Sequence, residues 1–130
     1  MVDLNKIIQA KRTIANFVRN TELYESKKLS VLSGAEVFVK RENLQRTGAY
    51  KIRGAYNKIA HLSEEQKQGG VIAASAGNHA QGVALSAREF GVRAVIVMPE
   101  STPLLKVIGT KNLGAEVILK GNNFDEAYAY

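Results

Sequence analysis

Apolar positions recur at helical spacing near the start of the chain, at Leu4, Ile7, Ile8, Ile14, Ala15 and Val18, and Asp3 stands where such a helix needs its cap. The pattern predicts an amphipathic helix that docks one face on a core. Residues 36–40 centre on Val37, Phe38 and Val39 and read as a strand, followed by a polar, turn-like stretch from Arg41 to Gly48. Ile52, Ala55, Tyr56, Ile59 and Leu62 then line one face of a second helix. Ser63 with Gln66 forms a capping-box pair for a short helix that Gly69-Gly70 ends.

Beyond Gly70 the rhythm becomes regular. Val71 to Ala74 reads as a short buried strand, the next four residues as a turn, and a helix follows that ends at Phe90-Gly91. Ala94 to Met98 is a continuous apolar strand; Ser101 or Thr102 is expected to cap the next helix with Pro103 at its first position, and Gly114 to close it. Ala115 to Leu119 is a third strand, and a last helix begins at Phe124. Strands and helices alternating at this spacing predict right-handed crossovers and an α/β fold, a parallel sheet with helices on both faces. Ligands are then expected beyond the carboxyl ends of the strands.

Composition narrows the function by exclusion. A 45% hydrophobic, 23% charged chain of 130 residues is that of a folded, water-soluble module. It has no cysteine, which excludes disulfides, thiolate catalysis and Cys-ligated zinc, and the cytoplasm is the default compartment. Asp3, Lys6, Lys11, Arg12 and Arg19 interrupt the first twenty residues, unlike a signal peptide, and no run approaches the ~18 apolar residues of a membrane span. A membrane is not an expected partner. The formal charge of +6 raises the question of nucleic acid, but the basic residues are scattered and not interleaved with the few aromatic ones. They read as a solvated surface that favours small anions.

Two segments carry candidate chemistry. In the first, Thr47-Gly48-Ala49-Tyr50-Lys51-Ile52-Arg53, Lys51 opens a helix. Positive charge is disfavoured there by roughly 0.3–1 kcal/mol, and a Schiff base to an aldehyde needs an uncharged amine. Taken alone, that argument is weak, because an arbitrary one of the eleven lysines is far more often a solvated surface charge. The second segment, Ser75-Ala76-Gly77-Asn78-His79-Ala80-Gln81-Gly82, lies between a strand and a helix, where successive backbone N–H groups can bind a carboxylate or phosphate. A purely structural glycine turn is the equal alternative. No dinucleotide fingerprint or P-loop is present.

In this order, "TGAYKIRGAYNKI", "SAGNHAQGVA", "VIVMPESTPLLKV" and "LGAEVIL" resemble the threonine and serine dehydratase family of fold-type II pyridoxal-phosphate enzymes, whose fold is that of the tryptophan synthase beta chain. The resemblance runs from about Ile14 through Tyr130. It implies pyridoxal 5'-phosphate held on Lys51 as a Schiff base, with Tyr50 in the aromatic position before it and Asn78 bonded to the cofactor's ring hydroxyl. It also implies that Ser75, Ala76, Gly77, Asn78, His79 and Gln81 hold the substrate carboxylate. The implied reaction is deamination of L-threonine, or of serine, in isoleucine biosynthesis or threonine catabolism, by a homo-oligomer.

Within that family, Lys51-Ile52-Arg53-Gly54-Ala55 differs from the Lys-Asp-Arg of sulfhydrylases and threonine synthases. Ala76 stands where racemases carry a serine that serves as the second acid/base, so elimination is expected over racemisation. Residues 1–50 would contribute to a larger cofactor domain and 51–130 form a small α/β domain with the carboxylate turn. The family's Gly-rich phosphate loop lies farther along than Tyr130. A catalytically incomplete fragment or binding module is therefore the rival reading, and a nucleotide-binding module rests on fold analogy alone. Thr21-Glu22-Leu23, in place of the family's Thr-Pro-Leu, predicts a looser segment. His79 is expected to orient the turn through a hydrogen bond, His61 to lie at the surface, and Arg53 to pair with a carboxylate or carbonyl.

Overall fold

A computed structural model describes all 130 residues. In chain order the elements are α1 (Leu4–Ile14), β1 (Leu23–Glu25), α2 (Lys27–Ser33), β2 (Phe38–Lys40), a single 3-10 turn (Glu42–Leu44), α3 (Lys51–Ala60) and α4 (Glu64–Gly69). They continue with β3 (Val71–Ala74), α5 (Asn78–Glu89), β4 (Ala94–Met98), α6 (Leu104–Asn112), β5 (Glu116–Leu119) and α7 (Phe124–Ala129). No helix is long and apolar enough to cross a membrane.

The second half is the expected α/β unit. Strands β3, β4 and β5 form one parallel sheet in sequence order, with Val71 opposite Ala94 and Val95 opposite Glu116. Ala80, Ala84 and Ala87 of α5 pack against Ala94, Ile96 and Met98 of β4. The small α5 side chains let the helix sit close to the sheet, and burying Ile96 or Met98 there contributes about 1.5–3 kcal/mol each. Val97 points to the other face by strand alternation and is buried too. Helix α7, which contacts β3 and β4 and buries Ala127, covers that face.

The first half is a looser assembly around α3. Asp3 caps α1 by accepting from the Lys6 N–H at 2.9 Å, and Ser63 and Gln66 complete the capping box of α4. The first helix stops at Ile14 rather than Val18, and its apolar stripe does not dock: Ile7 is 57% exposed, with Leu4 and Ile8 also open. Only the C-terminal end of α1 reaches α3, so burial is confined to Ile14 and to Phe17, which stacks on Tyr56 at 4.1 Å. Strand β1 and helix α2 are additions to the expected elements; β1 pairs antiparallel with β2, and Ser26 caps α2. The segment expected to be loose is ordered, since Thr21 is buried and Leu23 opens β1. Pro103 does not sit at the first helical position of α6: its ψ of 134° is extended, so it caps the helix, and neither Ser101 nor Thr102 makes a capping bond.

Candidate functional site

Each side chain in the first turn of α3 has a different neighbour. Lys51 is exposed, its amine 5.4 Å from the centroid of the exposed Tyr50 ring. Ile52 is fully buried between Phe17 and Leu85. Helix α5 crosses this turn at Gly82, where a β-carbon would stand 3.2 Å from the Ile52 nitrogen and 3.3 Å from the Lys51 carbonyl carbon. The missing side chain thus brings the start of α5 against the backbone that carries Lys51. Gly82→Ala gains about 1 kcal/mol of helix propensity but meets backbone, and overpacking of that kind costs about 1–3 kcal/mol. A lower Tm is the expected result; an unchanged or raised Tm would show that the two helices separate freely.

The turn leading into α5 is organised by Ser75. Its N–H donates to the Val97 carbonyl at 3.0 Å, and its Oγ accepts from the N–H groups of Gly77 and Ala80, both at 3.3 Å. The N–H groups of Ala76, Asn78 and His79 have no protein acceptor. Three unpaired donors at the start of a twelve-residue helix, beside the positive end of its dipole, suit a carboxylate. The Gly77 N–H, expected among the carboxylate donors, is engaged by Ser75 Oγ in this structure. The Ser75 hydroxyl accepts twice and keeps its proton to donate.

Behind α3 lies a charged network. The Arg53 guanidinium donates to both Glu42 oxygens, through Nε at 2.9 Å and Nη2 at 2.8 Å, and Thr21 donates its hydroxyl proton to the same carboxylate. Lys40 holds the Thr21 carbonyl at 2.7 Å, and the buried Gln45 side chain bonds the Arg19 N–H and carbonyl, both at 2.8 Å. The hydrogen bonds from Arg53 hold the Glu42 carboxyl down at about 2, against the opposing effect of burial, with Thr21 and the charges of Arg53 and Lys40 helping. Glu42 raises the Arg53 guanidinium in turn.

A depressed carboxyl stabilises the fold fully above its unfolded value of 4.5, and the contribution is lost as the pH falls toward about 2. With the Glu42 side chain 17% exposed, solvent screening leaves about 1–2 kcal/mol. Glu42→Gln is therefore expected to lower stability at pH 7 by that amount and to flatten its loss between pH 4.5 and 2. Denaturant melts across that range check it; identical acid profiles for the two proteins would contradict it.

The geometry gathers some expected residues and disperses others. Tyr50 and Lys51 open α3 where α5 crosses it at Gly82, one helical turn beyond Asn78, whose side chain is exposed without a protein partner. His79 does not orient the turn: it makes no hydrogen bond and lines a groove of about 300 Å³ with Ile59, Ile72 and Val83. Gln81 turns its side chain toward α6, where its amide nitrogen would be 3.7 Å from a β-carbon on Gly109. His61 lies at the surface as expected, its Nδ1 2.7 Å from the Asn57 carbonyl. Gly82 was not singled out as a site residue, because a close approach between two helices leaves no mark on the sequence beyond a glycine. No group of three or more His, Cys, Asp or Glu side chains is placed to hold a metal ion.

Residues 14–130 match the profile of a family described as pyridoxal-phosphate dependent enzyme. The chain belongs to that family. L-threonine ammonia-lyase from Thermotoga maritima is 61% identical over 128 residues, which make up 98% of this chain and 32% of that protein. Among solved structures of the pyridoxal-phosphate dependent enzymes, maize serine racemase superposes with a TM-score of 0.91 at 37% identity, over 98% of this chain and 39% of the racemase. The processed form of threonine deaminase isoform 2 from Solanum lycopersicum gives a TM-score of 0.84 at 41% identity, over 97% of this chain and 36% of the deaminase. The fold is thus that of fold-type II pyridoxal-phosphate enzymes. The chain spans about a third of the curated relatives it matches, 32% and 38% of two of them.

Proposed function

We propose that this chain is the lysine-bearing part of a threonine ammonia-lyase, which converts L-threonine to 2-oxobutyrate and ammonia by α-proton abstraction and β-elimination. The observation that supports the reading is the contact at Gly82, where the Lys51 backbone meets α5 one turn beyond its start with three unpaired N–H donors. Bound pyridoxal phosphate would supply the electron sink that makes the α-proton acidic. Lys51 would hold it through Nζ, and Asn78 would donate to its ring hydroxyl. The Ala76, Asn78 and His79 N–H groups and the Ser75 hydroxyl would bind the substrate carboxylate. Fixed there, the substrate presents its Cα to the released Lys51 amine, which takes the proton. The α-proton and the β-hydroxyl would leave together as one water, and hydrolysis of the released enamine would give 2-oxobutyrate and ammonia.

The high TM-score to a serine racemase means that the backbone alone does not separate elimination from racemisation. The side chain at 76 does. Its methyl group packs against the core cluster and has no proton to give, so only the Lys51 face of Cα has a proton carrier. Ala76→Ser in the full-length enzyme is expected to add measurable D-threonine or D-serine formation to deamination, read by chiral chromatography. A folded variant that still deaminates but forms no D-amino acid would remove position 76 as the discriminator.

By the same reading, residues 1–50 belong with a larger cofactor domain, and the enzyme works in the cytoplasm as a homo-oligomer on threonine, with serine as the second substrate. The exposed apolar stripe of α1 supports a covering partner. The role is isoleucine biosynthesis or threonine catabolism. Assaying 2-oxobutyrate from L-threonine with a polypeptide of the relatives' length tests the proposal; no product with cofactor bound would reject it.

A further inference from the structure

Successive residues of an α-helix are 100° apart, so Arg53 stands about 200° round α3 from Lys51. The two cations therefore leave the same helical turn on opposite sides. The Lys51 side chain is exposed, Ile52 is buried under Gly82, and Arg53 reaches back to Glu42. Neither Arg53 nor Glu42 touches Lys51 or the three unpaired N–H donors.

The pair is braced from three directions. The same guanidinium reaches the Arg19 carbonyl at 3.3 Å and the Thr21 hydroxyl at 3.4 Å. Lys40, at the end of β2, holds the Thr21 carbonyl, and Gln45 ties the 3-10 turn to Arg19. Without this anchor nothing but apolar contact would fix the rotation of α3 about its axis, since Tyr50 caps the helix without a side-chain bond. Apolar contact tolerates sliding, whereas a bidentate guanidinium–carboxylate pair fixes both distance and orientation. A second cation at a helix N-terminus is itself unfavourable, and Glu42 neutralises Arg53 where it stands.

We propose that the Arg53–Glu42 pair is a positioning clamp that sets the rotation of α3 and thereby holds the Lys51 amine toward the turn at Ser75–His79. The inference rests on Lys51 being the cofactor lysine. Arg53 and Glu42 are positioning residues and act only through the helix.

Limiting pyridoxal phosphate followed by borohydride, with peptide mass spectrometry, reads the share of label on each lysine. Lys58 lies on the same helix and is exposed, so the Lys51-to-Lys58 ratio separates aim from general loosening of α3. In the wild-type full-length enzyme Lys51 leads. Arg53→Met is expected to lower the ratio by about tenfold, as a displaced reacting group does, and Arg53→Lys, which keeps the charge but not the fork, by about threefold. Glu42→Gln keeps the shape of its side chain and serves as the companion variant should Arg53→Met fail to fold. If wild-type Lys51 does not lead Lys58, the assignment of the cofactor lysine fails and the clamp with it. If Lys51 leads but the ratio is unchanged in folded variants, the clamp alone is overturned and the pair is merely structural.

Discussion

Lys51→Ala in the full-length enzyme is expected to lower threonine turnover by at least about three orders of magnitude. Lys51 is assigned two tasks, holding the cofactor and taking the α-proton. General-base catalysis alone accounts for about 10²–10⁴-fold, and removing the covalent anchor adds to that. Two neighbouring lysines are engaged elsewhere. Lys58 is on the same helix but lines the groove beside His79, and Lys40 is committed to the Thr21 carbonyl. Lys58→Ala should therefore stay within about twofold of wild type, because an exposed lysine away from the site contributes little. Steady-state assay of 2-oxobutyrate checks both variants. Turnover by Lys51→Ala within tenfold of wild type would remove the lysine from its role.

The 130-residue chain by itself is expected to fold, to self-associate and to give no detectable turnover. Folding follows from the core between α5 and the sheet, which is closed within this chain. Catalysis fails for want of donors. The unpaired N–H groups at the start of α5 serve one carboxylate, and a doubly charged cofactor phosphate needs a second such set. Self-association follows from what stays uncovered: Ile72 on the outer strand β3 is 70% exposed, and Leu105 on α6 is 85% exposed. Apolar surface beside an unpaired strand edge is rarely left in water. Size-exclusion chromatography and the 2-oxobutyrate assay decide the matter. A monomer that turns over threonine with stoichiometric cofactor would require a phosphate site within these residues.

The parallel sheet was legible in the sequence because its strands are continuous apolar runs punctuated by glycine, as Ala94 to Met98 shows. Asp3 and Ser63 were legible as caps for a local reason, since a cap depends on residues three positions apart. Helix α2 carried comparable signals in Ser26 and in Gly34, whose φ of 71° is left-handed, but it is only seven residues long, too short for a clear helical period, and it buries no residue. Burial itself is not local. Leu4, Ile7 and Ile8 have the periodicity of a docked helix, yet all three stay exposed. The site divides in the same way. Lys51 and the turn could be named from their motifs, and Arg53 could be expected to find a carboxylate. That the carboxylate is Glu42, that Gly77 is spent on Ser75, and that Gln81 and His79 face away are consequences of how α3, α5 and α6 pack.

The central claim is that Lys51 and the turn at Ser75–His79 form one site. Amide chemical shifts of the 15N-labelled full-length enzyme loaded with pyridoxal phosphate, followed while L-threonine is added, are the measurement that tests it. The account predicts that the Ala76, Asn78 and His79 amides move together with those of Lys51 and Ile52, and that threoninol, which lacks the carboxylate, leaves the three turn amides in place. Movement of the Lys51 region with the turn unaffected by threonine, or equal responses to threonine and threoninol, would contradict it.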